Sequence, residues 1–244
     1  MLIVNADDLG RNTATTDAIL SCHAKKRVSA TSAMVFMEDS ERAAELALSA
    51  GIDVGLHINF SESFTAKNLP NSLGKSHRKI IHFLKTNKYA LVLYHPLLTR
   101  EFRSVFEAQH AEFFRLYGRL PSHYDGHQHF HLASNMLLQQ ILPEGSKVRR
   151  SFSFRQGEKS FFNRYYRNIV DLSLARRHKL TDYFFSLAHY LALESLAKLF
   201  QLAEEENVEL MAHPHLPKEY DFLMNDGYGE LLSHTKLLSF NDLH

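Results

Sequence analysis

The amino-acid sequence predicts an α/β fold built on a mostly parallel sheet, and two observations carry that expectation. Short apolar runs with β-branched members alternate with amphipathic helical stretches along most of the chain. Several of those runs end abruptly in polar clusters, which is where reactive residues lie in parallel sheets, whether open or closed as a barrel.

Leu2 to Ala6 has the composition of a strand buried on both faces. Asn12 to Ala24 suits a helix, and Ala30 to Val35 a second strand. Ser40 to Leu48 follows as a helix capped by Ser40 and closed by Gly51, and Asp53 to Ile58 as a third strand. Thr65 to Gly118 carries two long helical patterns, the second stopped by Gly118. Pro121 to Gly126 then leads into His127-Gln128-His129-Phe130-His131. Ser146 to Phe154 contains a strand signal with Arg149 and Arg150, and Arg164 to Tyr190 is helix-rich and aromatic. Leu193 to Glu206 is a further amphipathic helix, and Val208 to Ala212 a compact strand running into His213-Pro214-His215.

No repeat, linker or low-complexity segment interrupts the 244 residues, of which 45% are hydrophobic, so a single domain over 1–244 is expected. With 28 Lys+Arg against 27 Asp+Glu, no global field favours nucleic acid or an anionic membrane. Cys22 is the only cysteine, which excludes an internal disulfide and a thiolate cluster and fits a reducing compartment. The apolar start ends at Asp7-Asp8, too short for a signal-peptide core, and Tyr89 to Tyr94 falls well short of the roughly 18 residues of a membrane span. A soluble cytoplasmic protein is the expectation, with homo-oligomerisation left open.

Asp7-Asp8, His57, His127-Gln128-His129 and His213 each stand at the end of a run read independently as a strand, so all share one face of the sheet. A carboxylate and two imidazoles suit a divalent ion and leave positions open for water and substrate. Each feature alone has a commonplace alternative. Adjacent aspartates often turn the chain and cap a helix, and a lone histidine in an apolar run is usually a hydrogen-bonded core residue. The period-two spacing of His127, His129 and His131 would put their side chains on one face of an extended segment; a histidine-rich surface loop competes with that. The coincidence of four strand ends outweighs the separate alternatives.

In Val4-Asn5-Ala6-Asp7-Asp8-Leu9-Gly10, Val54-Gly55-Leu56-His57-Ile58-Asn59, Asp125-Gly126-His127-Gln128-His129-Phe130-His131 and Glu209-Leu210-Met211-Ala212-His213-Pro214, the sequence resembles the YdjC-like carbohydrate deacetylases. This is the family of chitooligosaccharide deacetylase and the hopanoid-associated deacetylases. The resemblance implies a distorted TIM-like (β/α) barrel and one divalent metal ion on Asp8, His57 and His127. It also implies Asp7 as catalytic base, His213 as acid, His129 near the metal or substrate, and an N-acetylated sugar as the substrate losing its acetyl group. Two imidazoles with one carboxylate suit zinc, and the resemblance admits magnesium. Tyr124, Arg149 and Arg150 are candidates to position sugar hydroxyls, with surface solvation the competing account for the arginines. Two departures stand out: the short C-terminus through Glu230-Leu231-Leu232-Ser233-His234 to His244, and the basic, aromatic block from Arg149 to Tyr183.

A fold and a metal do not determine a substrate, so a hydrolase of phosphate esters or of a non-sugar amide is the first rival. A non-catalytic carbohydrate-binding protein with a structural ion is the second. The presence of both Asp7 and His213 argues against it, since a structural site needs neither a spare base nor a spare acid.

Overall fold

In the computed structural model, which describes residues 1–154 and 160–244, six parallel strands form one curled sheet surrounded by helices. The strands are β1 (Leu2–Leu9), β2 (Ala30–Ala33), β3 (Asp53–Ile58), β4 (Tyr124–Gly126), β5 (Tyr183–Ser186) and β6 (Val208–Ala212), in the order β4-β3-β2-β1-β6-β5. The helices are α1 (Thr13–Ala24), α2 (Ser40–Ala50), α3 (Asn71–Thr86), α4 (Thr99–Tyr117), α5 (Ser134–Leu138), α6 (Phe161–Ala175), α7 (Leu193–Glu205), α8 (Pro217–Met224) and α9 (Asp226–Ser233). Among the described residues, no helix is long and apolar enough to cross a membrane.

The central strands are buried throughout, as strands covered on both faces must be. β1 pairs with β6 from Leu2 opposite Val208 to Ala6 opposite Ala212, so the ends of β1 and β6 lie side by side. β3 pairs with β4 with His57 opposite Asp125. The strand ends are thus brought together by register before any side chain is considered.

The arc from β4 to β5 is not closed by a regular strand. The expected strand in Ser146 to Phe154 is an extended segment that bonds to both edges. Tyr124 N donates to Lys147 O at 2.9 Å and Arg149 N to Tyr124 O at 3.0 Å. On the other side, Val148 N donates to Lys179 O at 2.9 Å and Ser153 N to Phe184 O at 2.9 Å. This segment spans the gap in the half-barrel, and it carries Arg149 inward.

At the opposite end, the C-terminal stretch closes the floor. Leu238 N donates to Leu2 O at 2.9 Å, and Phe240 packs with Ile3, Ala30 and Leu243. The Phe240 ring stacks on His123 with centroids 3.6 Å apart. The C-terminal stretch therefore plugs the sheet's lower mouth.

Several sequence expectations are corrected. Ser40 does not cap α2: Asp39 occupies the cap position, and the Ser40 hydroxyl donates to Met34 O and accepts from Met37 N. Asn12, by contrast, caps α1 by accepting from Thr15 N, and Gly51 and Gly118 end their helices in the left-handed region at φ 68° and 64°. Arg164 to Tyr190 holds one helix and then strand β5, whose aromatic composition hid it. His127–Leu132 is not extended. It is a tight 3₁₀ segment in which Gln128 and His129 take φ of 54° and 61°. The Arg149 to Tyr183 block is described except for residues 155–159.

Gly55 in β3 faces the fully buried His123 ring so closely that a Cβ there would overlap ring atoms. The ring is backed by Phe240 and cannot retreat. Gly55→Ala is expected to destabilise the fold by about 1–3 kcal/mol, the usual cost of overpacking a tight core. Urea unfolding measures it; a midpoint equal to wild type would show that the His123 stack yields freely.

Candidate functional site

The site begins with a bulge. Pairing of β1 with β2 runs Asn5 to Ala30 and Ala6 to Thr31, but resumes at Leu9 to Ala33, so β1 holds one residue more than its partner. Asp8 sits in this irregularity at φ 76°, a conformation that Asp tolerates better than most residues. In a regular strand, adjacent side chains point to opposite faces. The bulge instead lets Asp7 and Asp8 both serve one centre, and both are buried.

Around Asp8 the two predicted imidazoles assemble. His57 Nε2 lies 3.2 Å from Asp8 Oδ1, and His127 Nδ1 lies 3.0 Å from the same oxygen. Each ring is engaged on its other side by a second carboxylate. His57 Nδ1 donates to Asp125 Oδ1 at 2.8 Å, and His127 Nε2 lies 3.3 Å from Glu62 Oε2. Arg11 completes the rim, with Nε donating to Glu62 Oε1 at 3.0 Å and Nη1 3.8 Å from Asp8 Oδ2.

Gly126 makes the position of His127 attainable. A Cβ there would stand 2.8 Å from His131 N and 3.0 Å from the His131 ring, so the chain can coil tightly after β4 only without a side chain. The coil sends the three histidines in different directions. His127 faces Asp8, whereas His131 is buried with Nε2 donating to Arg149 O at 3.0 Å. His129 packs edge-on against Phe152 and Phe184, at 4.6 and 5.7 Å, with its buried Nδ1 unpartnered.

Metal-ligating atoms of Asp8, His57 and His127 all lie within 4.8 Å of one another, and so do those of Asp7, His57 and Asp125. The second set already has its cation. The guanidinium of Arg149 is bidentate on Asp7, Nη1 to Oδ2 and Nη2 to Oδ1 at 2.7 Å each, and Nη2 is also 2.8 Å from Asp125 Oδ2. Among the described residues Asp8 has no bidentate cation, only Arg11 at 3.8 Å, and the set of one carboxylate and two imidazole nitrogens fits a divalent ion. Electrostatics agree. Burial opposes charge on His57, but Asp125 and Asp7 outweigh it and hold the ring up to about 10. Burial likewise opposes ionisation of Asp8, yet hydrogen bonds from His127 and His57 hold its carboxyl well below the usual range. Both directions describe one arrangement, an ionised Asp8 carboxylate shared by two imidazoles, and an ion binding there would displace the ring protons.

Arg149 is not where the sequence reading put it. It is wholly buried, and its Nε donates to Glu209 Oε1 at 2.6 Å, so it reaches carboxylates from β1, β4 and β6 rather than a sugar. Burial pushes Glu209 up to about 7 despite that contact. Tyr124 also points away from the strand-end cluster, its hydroxyl bonded to His110 Nε2 of α4 at 2.9 Å. Arg150, the other arginine, pairs with Asp171 of α6.

His213 follows β6. Its backbone N donates to Glu219 Oε2 at 2.7 Å, and its Nδ1 is 3.8 Å from Glu219 Oε1. Burial lowers the affinity of this ring for a proton, but the Glu219 contact and the charges of Asp7 and Asp8 more than compensate and raise it. His215 stands nearer the centre, its Nδ1 3.9 Å from Asp8 Oδ2. Sequence reasoning assigned no role to His215, Asp125, Glu209, Glu219, Arg11 or Glu62. Asp125 and Glu209 lie within motifs already singled out; Glu62 and Arg11 carry no local signal.

Comparison with known proteins finds relatives along most of the chain. Over 144 residues the chain is 31% identical to the chitooligosaccharide deacetylase of Proteus mirabilis (strain HI4320), covering 59% of this chain and 53% of that protein. The chain thus spans about half the length of the first curated relatives it matches. It is 29% identical over 243 residues to the chitooligosaccharide deacetylase of Yersinia pestis (strain Pestoides F), covering 93% and 86%. A solved structure from Enterococcus faecalis V583, provisionally described as a cellobiose-phosphate cleavage protein, shares the fold with a TM-score of 0.70. That match covers 99% and 98% of the two chains at 20% identity. The family model described as YdjC-like protein matches residues 1–234, which takes in every strand and every residue of the Asp8 cluster, and the chain belongs to that family.

Proposed function

We propose that this chain is a metal-dependent hydrolase that removes acetyl groups from N-acetylated sugars. The observation that carries the proposal is the paired arrangement at Asp8, where His57 and His127 each turn one nitrogen to the shared carboxylate and the other to an outer carboxylate. Ligating histidines are commonly oriented in this way. The deacetylase names of the curated relatives support the acetyl-sugar substrate.

A divalent ion held by Asp8, His57 and His127 would polarise the amide carbonyl and acidify a water. Asp7 takes the water's proton as its oxygen bonds to the carbonyl carbon. Asp7 Oδ1 accepts from Asn5 and Arg149 and Oδ2 from Arg149 alone, so Oδ2 keeps a lone pair for this task. Protonated His213, braced by Glu219, donates to the nitrogen as the carbon–nitrogen bond breaks. The products are acetate and a free amino sugar.

Metal-loaded protein incubated with N-acetylated mono- and oligosaccharides should yield acetate and free amine in equal amounts. Phosphate release from sugar phosphates without any acetate would favour the rival hydrolase and remove this reading.

Because Asp7 serves as base and Asp8 as ligand, the two should separate on mutation. Asp7→Asn should retain metal while turnover falls about 10²–10⁴-fold, the usual contribution of a general base. His57→Ala should lose both. Metal analysis of the purified, folded variants decides; Asp7→Asn protein devoid of metal would make Asp7 a ligand instead.

His213 works in its protonated form and its proton affinity is raised, so activity should decline as pH rises through its folded-state pKa, above the ordinary histidine value. His213→Ala should abolish that alkaline limb and leave metal content unchanged. A variant whose profile keeps the same alkaline limb would transfer the acid role to another group, with His215 next to be tested.

A further inference from the structure

His127 differs from His57 in how its ring is held. His57 projects from within a paired, buried strand, one residue before its end. His127 begins a 3₁₀ coil whose next two residues are left-handed, and no regular element dictates its orientation. Its two nitrogens meet only Asp8 and Glu62 among the contacts above.

Glu62 is itself held in place from beneath. Asn59 Oδ1 accepts from Ser61 N at 3.1 Å and Glu62 N at 2.8 Å, and its Nδ2 donates to Glu62 O at 2.7 Å. This turn is anchored in the core, since Asn59 N donates to Gln109 Oε1 at 2.7 Å and Gln109 Nε2 returns to Asn59 O at 3.1 Å. Asn59 and Gln109 are both fully buried. A glutamate serving only as a surface charge needs no such foundation. Arg11 then ties Glu62 to the loop after β1, so the carboxylate lies over His127 from a support built by two strand ends.

We infer that Glu62 is a positioning residue: it accepts the Nε2 proton of His127 and thereby presents the unprotonated Nδ1 to the metal beside Asp8. The inference rests on the metal-site reading and gives that site a matched pair of outer carboxylates, Asp125 for His57 and Glu62 for His127. The commonplace alternative is a half-buried Arg11–Glu62 ion pair with a negligible effect on anything else.

Two measurements on the full chain test it. Titration of the metal-free protein with Zn²⁺ should show Glu62→Ala binding about 10–100-fold more weakly, the usual effect of removing an outer partner of a ligating histidine. Glu62→Gln, which keeps an acceptor oxygen, should recover part of the loss, and Glu38→Ala, an exposed carboxylate elsewhere, should match wild type. Nitrogen-15 spectra of histidine-labelled, zinc-loaded protein should show the His127 Nε2 proton hydrogen-bonded and slow to exchange in wild type, and exchanging faster in Glu62→Ala. Wild-type zinc affinity in Glu62→Ala overturns the inference, and so does a His127 Nε2 proton that exchanges equally fast in both proteins. If the wild type binds no zinc, the metal reading fails and the inference with it, whereas equal affinities in the two proteins overturn the inference alone.

Discussion

The arrangement depends on one buried cation. Arg149 lies among Asp7 of β1, Asp125 of β4 and Glu209 of β6 with no exposed surface, each carboxylate within 2.6 to 2.8 Å. Removing one charge from water costs several kcal/mol, and removing four is tolerable only where geometry and hydrogen bonding are nearly saturated. The guanidinium meets that condition because its planar fork offers donors in several directions at once. Lysine at this position would be a point charge unable to span three strands. The ion cluster therefore contributes mainly alignment: it couples β4 to the neighbouring pair β1 and β6, from which two strands separate it in the sheet, across an arc that regular backbone pairing does not close.

That alignment explains the division of labour between two adjacent aspartates. Asp7 is tied to the internal cation and to Asn5, whose amide also donates to Ser32. Ser32 in turn donates to Asp125 at 2.7 Å, and Asp125 orients His57. Asp8, one residue on and turned by the bulge, faces only imidazoles and the distal Arg11. The same carboxylate chemistry is thus paired with a cation at one position and left short of positive charge at the next. Three carboxylates around one guanidinium also leave the interior over-supplied with negative charge, which raises the proton affinity of His57 against burial; at Glu209 burial is the main cause, with Asp125 and Asp7 adding to it.

Much of this was legible in the sequence wherever the signal was local. β3 matches its expected bounds because Asp53 to Ile58 is an apolar run between Gly51 and a polar loop, and β6 and α7 are read equally well. The strand-end positions of Asp8, His57 and His127 follow from those same runs. The failures share a cause in long-range contacts. His127-x-His129-x-His131 has the spacing of an extended segment, but Gly126 allows a coil that turns the histidines apart, and a period-two pattern cannot report a left-handed backbone. Arg149 resembles a solvated surface arginine until three carboxylates separated from it by 142, 24 and 60 residues converge. Glu62 is invisible for the same reason, because its meaning depends on a histidine from another strand end.

Three of the six non-glycine residues with positive φ among the described residues lie where these long-range contacts meet. Asp8, Gln128 and His129 all adopt positive φ without being glycine, a conformation that costs on the order of 1–3 kcal/mol per residue. Such residues persist only where their surroundings over-determine them. Asp8 is fixed by β1 pairing on both flanks and by two imidazoles, while the coil at Gln128 and His129 is fixed by Gly126, by the His131 bond to Arg149 O and by packing of His129 on Phe152 and Phe184. The Arg149 segment thus supports the strained residues twice, through its guanidinium at Asp7 and through its carbonyl at His131. A regular strand end would place one aspartate inward and spread the histidines along a face. The irregular backbone instead puts a cation-paired carboxylate, one without such a partner and two imidazoles around a single point, and the ion cluster beneath keeps that geometry from relaxing.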